Sequence, residues 1–398
     1  LKIPEPLFFL ALGILIILAF ALISNSSSKS QNIIRVPKEA DSIADALSQA
    51  TENSIIEVDA KSGPYDESLE IMIAGIQLVS VNGKAQINAS QSARQAIKIT
   101  SDRAQIEGFE ISGGGTGILV ENASEISIQG NTIKQNGAMG IMFFDVQASS
   151  ILNNNVSNNF HGIWLSGSSE NNTIKKNIIR ENAGAGLTLS GSHNIVITEN
   201  EISHNRLVGI ELIGGKANQI EKNSIIGNTN GGIFLDEGTT EHRFAANEIA
   251  ENGIGIWVLN GFDNVFQGNR IENNSEVGVI LESSGKIQLM ENLIKGNVVG
   301  VRFAAVSGTD IHDNAIEENE FGILVLGQSR DIAITMNNIV GNKEYGLSNE
   351  GVQVVTAVEN FWGDSSGPAV NENGSKGDIL IGSVSFQPWL EAQVELKE

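Results

Sequence analysis

Gly140-Ile141-Met142-Phe143, then Asn154-Asn155-Val156-Ser157-Asn158-Asn159, then Gly162-Ile163-Trp164-Leu165 spell out one complete repeat of this chain. A glycine leading an apolar-x-apolar triplet recurs at Gly117, Gly140, Gly162, Gly186, Gly209, Gly232, Gly255, Gly278, Gly300, Gly322 and Gly346, at spacings of 22 to 24 residues. In the first ten copies both triplet ends are apolar, from Ile118 and Val120 to Ile323 and Val325. Alternation with period two over so short a run means a strand, not a helix. Asparagines follow in phase at Asn131, Asn154, Asn177, Asn200, Asn223, Asn247, Asn269, Asn292, Asn314 and Asn337, each with a second asparagine five residues on. Asparagine tolerates the left-handed backbone of a tight bend, and stacked copies can hydrogen-bond between coils. Two asparagine columns and a glycine column at one period predict a β-solenoid; the leucine scaffold of a leucine-rich repeat is missing.

Outward from the regular coils of residues 96–345, both ends break the pattern. Ile43, Ala46, Leu47 and Ala50 share a helical face within residues 41–50, with Asp41 or Ser42 as its cap, so a helix is expected to plug the open core. Ile55 to Val58, Leu69 to Ile73 and Ile76 to Val81 read as the first, irregular strands. A C-terminal cap is expected over residues 360–391, from Phe361 to Trp389 and Leu390, followed by a tail at 392–398. At the N-terminus, residues 1–6 precede an uncharged apolar run from Leu7 to Ile23. That run reads as a membrane anchor at the short end of the usual length, or as a signal segment. Its Ala19-Phe20-Ala21 lies inside the run and is a poor cleavage site, so the anchor is the preferred reading. Residues 24–31 form a polar tether. Glu5 ahead of the run leaves a pilin-like, filament-forming N-terminus as an alternative, although Pro4 and Pro6 fit a straight helix badly.

The 398 residues carry a formal charge of −22 and no cysteine. The sign is wrong for neutralising phosphate, so nucleic acid is excluded as a natural partner. Disulfides, thiolate metal sites and thiol nucleophiles are excluded outright.

Three segments resemble the pectin-lyase-like superfamily, especially its NosD-like and CASH-type carbohydrate-binding surface proteins. They are Ser42 to Leu47 with Ile56-Glu57-Val58 and Gly63-Pro64-Tyr65-Asp66-Glu67; the Asn-x-Ile coils; and Asn360-Phe361-Trp362-Gly363-Asp364-Ser365-Ser366-Gly367-Pro368 with Val384 to Leu390. The resemblance implies an all-β fold: a right-handed, single-stranded parallel β-helix over residues 32–391, outside a membrane, with a bias towards carbohydrate. Fold alone does not fix activity.

Strand alternation assigns the outward side chains of the glycine-led sheet. One column runs Leu119, Met142, Trp164, Thr188, Glu211, Phe234, Trp257, Ile280, Arg302, Leu324; the next runs Glu121, Phe144, Ser166, Ser190, Ile213, Asp236, Leu259, Glu282, Ala304, Leu326. Twelve of these twenty are apolar, against six of twenty in the equivalent columns after the asparagines. An outward apolar strip marks an interface. The strip is expected to be covered by the chain itself, to meet another subunit in an oligomer or filament, or to bind a glycan on Trp164, Phe234 and Trp257 with Glu211, Asp236, Glu282 and Arg302 as polar partners. Glu282 and Arg302 are expected to form a surface ion pair.

Catalytic signals are thin. A polysaccharide lyase or uronate epimerase would need a base among clustered carboxylates. Arg302 is the one outward base of the apolar strip, and Asp310-Ile311-His312-Asp313 resembles the Asp-Pro-His-Asp of alginate epimerases with Ile311 in place of proline. The histidines His161, His193, His204, His242 and His312 fall in different columns, which disfavours a metal centre, including the copper role attributed to NosD-like proteins. No cofactor is implied; Ca2+ would suit the acidity but has no ligand cluster to support it. Asn-x-Ser/Thr sequons at Asn25, Asn88, Asn122, Asn155, Asn171, Asn273 and Asn373 are glycosylation candidates. The expected function is therefore binding or assembly at a cell surface, by a membrane-anchored chain, through the glycine-led face.

Overall fold

The computed structural model describes residues 32–370 and 374–395. The expected anchor at 7–23, the tether at 24–31, and the sequons at Asn25 and Asn373 lie outside them. Among the described residues no helix is long and apolar enough to cross a membrane. The rest winds into a right-handed parallel solenoid of about 14 turns. Three sheets run its length: a glycine-led sheet of 14 strands, an asparagine-led sheet of 12, and a third sheet of 16. Each strand pairs in parallel with its equivalent one coil away, so Ile141 lies opposite both Ile118 and Ile163. Apolar side chains of equal position thereby stack into continuous buried columns.

The glycine column exists for space. Gly140 and Gly209 have ordinary backbone angles, but a Cβ on Gly140 would stand 2.5 Å from Val156 Cγ1 and 2.7 Å from the Gly162 carbonyl. The glycine and the residue after it both face inward at this corner, and only a missing side chain lets the next coil approach.

The asparagines act differently from expectation. The left-handed position at each corner is the residue immediately before the asparagine: Asn153, Lys176, Glu199 and Lys222 ahead of the first column, and Asn158, Glu181 and His204 ahead of the second. That turn swings the asparagine inward. Asn177 is buried; its Oδ1 accepts from the Asn154 backbone N–H (2.9 Å) and Nδ2 (3.0 Å), and its own Nδ2 donates to the Ile151 carbonyl (2.8 Å) and to Asn200 Oδ1 (3.0 Å). The same pattern repeats up both columns, pairing backbone groups that the bend takes out of the strand ladders.

A third corner carries a looser column that the sequence reading did not separate: Ser149, Asn172, Asn218, His242 and Asn264 are all buried. His242 Nδ1 accepts from Asn218 N–H (3.1 Å), its own N–H donates to Asn264 Oδ1 (2.9 Å), and its Nε2 has no partner. Burial pulls its pKa down to about 4.

The two ends close with more than packing. The helix is Ile43–Gln49, capped by Ser42, with Ile43 and Ala46 buried. Glu67 accepts from the Ile43 and Ala44 N–H groups, and Tyr65 donates to the Asp59 carbonyl, so the Gly-Pro-Tyr-Asp-Glu turn fastens the plug. At the other end Asp378 accepts from the N–H groups of Gly341 and Asn342 and from Asn342 Nδ2, terminating the second asparagine column with a carboxylate. The expected C-terminal cap also contributes strands Leu380–Gly382 and Val384–Ser385, so pairing continues past the regular coils.

Two stability outcomes follow. Asn177→Ala strips two donors of their acceptor and should cost about 3 kcal/mol in chemical denaturation, while the exposed Gln288→Ala should stay within about 0.5 kcal/mol of the parent. His242, held neutral when folded, binds its proton more readily unfolded. Stability from it is complete above pH ~6.5 and is lost as pH falls towards 4, by about 3 kcal/mol. His242→Asn, the residue of its column neighbours, should remove that part of the acid sensitivity in melts across this window.

Candidate functional site

The two outward columns of the glycine-led sheet are in the expected register: Met142 opposes Trp164, Glu211 opposes Phe234, and Trp257 opposes Ile280. Most of these side chains are half-buried. Phe144 is exposed, while Ile280 and Thr188 are buried outright although they point away from the core. Ile280 is flanked in register by the longer Trp257 and Arg302, so it offers little to a partner. The expected Glu282–Arg302 ion pair does not form: no pairing of these two occurs among the described residues, and Arg302 Nε is shielded from solvent with no hydrogen-bond partner.

A third outward column, in the position just before each glycine, widens the strip. It includes Met139, His161, Val208, Ile254, Val299, Phe321 and Tyr345. Three aromatic groups stand on this wider face, one of them Phe321 against Tyr345 with ring centroids 5.0 Å apart. Phe160 and Trp164 contact His161 edge-on, with ring centroids at 4.8 and 5.1 Å. Three and four coils up from Trp164, Phe234 and Trp257 meet at 5.1 Å, inclined by 53°. Strand spacing puts about 19 Å between the two tryptophans.

Between these groups and above them the face is notched. A groove of about 440 Å³ is lined by Leu207, Val208, Glu211, Thr229, Asn230, Phe234, Ile254, Trp257 and Glu276, among others. Its origin is a difference in corner length. Two residues, Gly253 and Ile254, join Asn252 to Gly255, whereas three join Asn228 to Gly232 and three join Asn274 to Gly278. The short corner forms the floor, and Thr229, Asn230 and Glu276 on the long corners form the rims. The corner Phe160-His161 is equally short between longer neighbours, but there the aromatic side chains fill the notch. Gly253 replaces Phe160, and a Cβ on it would meet two carbonyls at 2.6 Å. This signal is present in the sequence as spacing, yet counting outward columns alone does not reveal it.

Glu211 sits at the centre of the groove wall. Burial pushes its pKa up, the hydroxyl of Thr188 donating to it (3.1 Å) draws it back, and the like charge of Asp236 adds to the rise. Glu211 has no ion pair, and neither has Glu276, among the described residues. The side chains of Thr229 and Asn230 make no hydrogen bond there, and Trp257 Nε1 is shielded from water without an acceptor. His161, by contrast, accepts from the Ala185 N–H (3.1 Å) and is held towards its neutral form by burial.

The weak catalytic candidates do not converge. Arg302 belongs to the glycine-led strand Val299–Ala304, whereas Asp310 and His312 lie on Ser307–His312 of the third sheet, with His312 Nδ1 2.8 Å from the Asp313 carboxylate. Of the sequons, Asn122, Asn171 and Asn273 are exposed at left-handed positions; Asn88 and Asn155 are half-buried.

Comparison with known proteins places the chain among β-helices. The family model described as "Right handed beta helix region" matches residues 74–225, and that of "Periplasmic copper-binding protein (NosD)" matches residues 231–377. A cell surface glycoprotein of Methanothermus fervidus is 38% identical over 72 residues, which are 18% of this chain and only 12% of that protein. Among solved structures, the Dettilon tailspike protein gives a TM-score of 0.53 at 14% identity, covering 89% of this chain and 70% of that one. The DFA-IIIase of Arthrobacter chlorophenolicus A6 gives 0.51 at 12%, covering 77% and 94%. A periplasmic alginate epimerase AlgG gives 0.50 at 16%, covering 82% and 84%. At these identities the structural likeness shows the fold alone.

The donor set does not fit copper. There is no cysteine, no group of three histidines or carboxylates suited to a metal occurs among the described residues, and His161, His193 and His242 have Nδ1 committed to backbone N–H groups. Glu211 is the group to probe. It should titrate above the ordinary glutamate range in carboxyl-carbon NMR, and Thr188→Val should raise it further by removing the bond that favours the carboxylate.

Proposed function

Because the chain is a NosD-like, right-handed parallel β-helix of the pectin-lyase-like kind, we propose that it acts outside the cell membrane as a glycan-binding surface protein, with residues 7–23 as its membrane anchor and 24–31 as the tether. The groove on the glycine-led sheet is the binding site, and Phe234 and Trp257 form its aromatic wall. The observation that carries this reading is the combination within one notch: an inclined aromatic pair, an apolar floor at Ile254, and the polar side chains of Thr229, Asn230, Glu211 and Glu276. Sugar rings present apolar faces to aromatics and hydroxyls to polar rims, and a site of this size lies in the range of roughly 300–1,000 Å³ typical of small-ligand pockets. The extracytoplasmic location is supported by the NosD match and by the likeness to a cell surface glycoprotein.

Arg302, Asp310, His312 and Asp313 are spread over two sheets, which speaks for binding over a lyase or epimerase reaction. One observation favours a second reading, assembly of several copies: Phe160, Leu207 and Val298 are 52%, 43% and 39% exposed along the same pre-glycine corner. These three side chains stand two and four coils apart along one edge, where a second copy could bury them.

A glycan array with the full chain should give binding that Trp257→Ala weakens at least about tenfold, with Trp164→Ala weaker in effect because Trp164 lies outside the groove. Native mass measurement of the same samples checks the alternative. An oligomer that Leu207→Ser and Val298→Ser dissociate, with no glycan bound by any form, would replace the glycan reading with assembly.

A further inference from the structure

The charge lining the groove narrows the ligand, given that the groove binds a glycan. Glu211 and Glu276 both line it, and no lysine, arginine or histidine does. Arg206, one residue before Leu207, is exposed but is not part of the lining. Glu211 is half-buried against an aromatic wall with a single neutral donor, the Thr188 hydroxyl, and no cation. A carboxylate partly withdrawn from water in this way and without a counter-charge favours a ligand that brings a cationic donor.

We propose that the groove selects a glycan bearing a free amino group, with the ammonium seated between the Glu211 carboxylate and the faces of Phe234 and Trp257. A cation over an aromatic face is attracted by the ring quadrupole, most strongly by tryptophan, and the attraction grows where water is excluded. The ammonium would also supply the charge-assisted donors that Glu211 lacks. Glu276 on the upper rim and the overall charge of −22 favour approach of a cation over an anion. A polyuronate, by contrast, would bring its carboxylates against Glu211 and Glu276 with no basic residue in the lining to receive them. Shared β-helix architecture with an alginate epimerase therefore does not carry over into a shared ligand class.

The test titrates the full chain with four probes at a pH where amines are protonated: a glucosamine oligomer, its fully N-acetylated counterpart, an oligouronate, and oligolysine. The glucosamine oligomer should bind about tenfold tighter than the acetylated form. Glu211→Gln, which keeps an oxygen to accept from Thr188, should abolish that preference, bringing the affinities of the two oligomers together. Glu276→Gln, at an exposed rim, should reduce it less and serves if the first variant fails to fold. Equal affinity for both forms, each lost in Trp257→Ala, would overturn the amine preference and leave the glycan groove standing. A preference for the oligouronate would overturn it too, and oligolysine binding without glucosamine binding would assign the site to a protein partner. Binding of no probe and no array glycan would remove the glycan reading and this inference together.

Discussion

The hydrogen bond from one asparagine's backbone N–H and side-chain amide to the side-chain oxygen of the asparagine one coil away governs this molecule. In a parallel solenoid the strands pair themselves, but the corners rotate their peptide groups out of the ladders. Those groups are buried, and leaving them unpaired would cost more than any single contact in the coil returns. Each inward asparagine offers one acceptor and two donors, and the columns use all three: Asn200, for example, receives two bonds from Asn177 and gives one to the Ile174 carbonyl. The spacing between the two columns stays at five residues in every regular coil. Length changes are confined to the rest of the circumference.

That constraint explains the ends. A stack of amides must stop somewhere, and its last member presents donors with nothing above. Asp378 meets this at the C-terminal end by accepting three bonds, two of them from Asn342. Desolvation raises its pKa, and the bonds it accepts oppose that rise. At the N-terminal end the first coils precede the two asparagine columns and are closed by helix Ile43–Gln49, itself held by the Glu67 carboxylate at its first N–H groups.

The coil period, the three in-phase columns and the outward register of the glycine-led sheet are all legible in the sequence, because each depends on residue type at a fixed interval. The left-handed position is less so. It falls on Lys176, Glu199 or Met336 as readily as on glycine, since the turn is imposed by the asparagine that follows and not by the residue making it. The burial of Ile280 and the solitary state of Arg302 are also invisible to alternation, which gives direction but not the reach of register neighbours. The groove itself was encoded more simply, in the two-residue corner Gly253-Ile254 between three-residue corners, but column counting averages such differences away.

Fixing the asparagine columns leaves the stretch between the second asparagine and the next glycine free to vary, and the consequences lie on one face. Before each glycine the chain spends two or three residues, and this single-residue difference decides whether a coil stands proud or recedes. Where it recedes, the side chain at the corner determines the outcome: Phe160 fills its notch and Gly253 leaves its notch open. Glu211 then stands on the wall of an opening whose other sides are Phe234, Trp257 and Ile254. A carboxylate in that setting destabilises the empty groove slightly, since burial disfavours its charge. The same penalty is relieved only by a ligand that brings donors or positive charge, so the groove's discrimination between ligands follows from the corner length that created it.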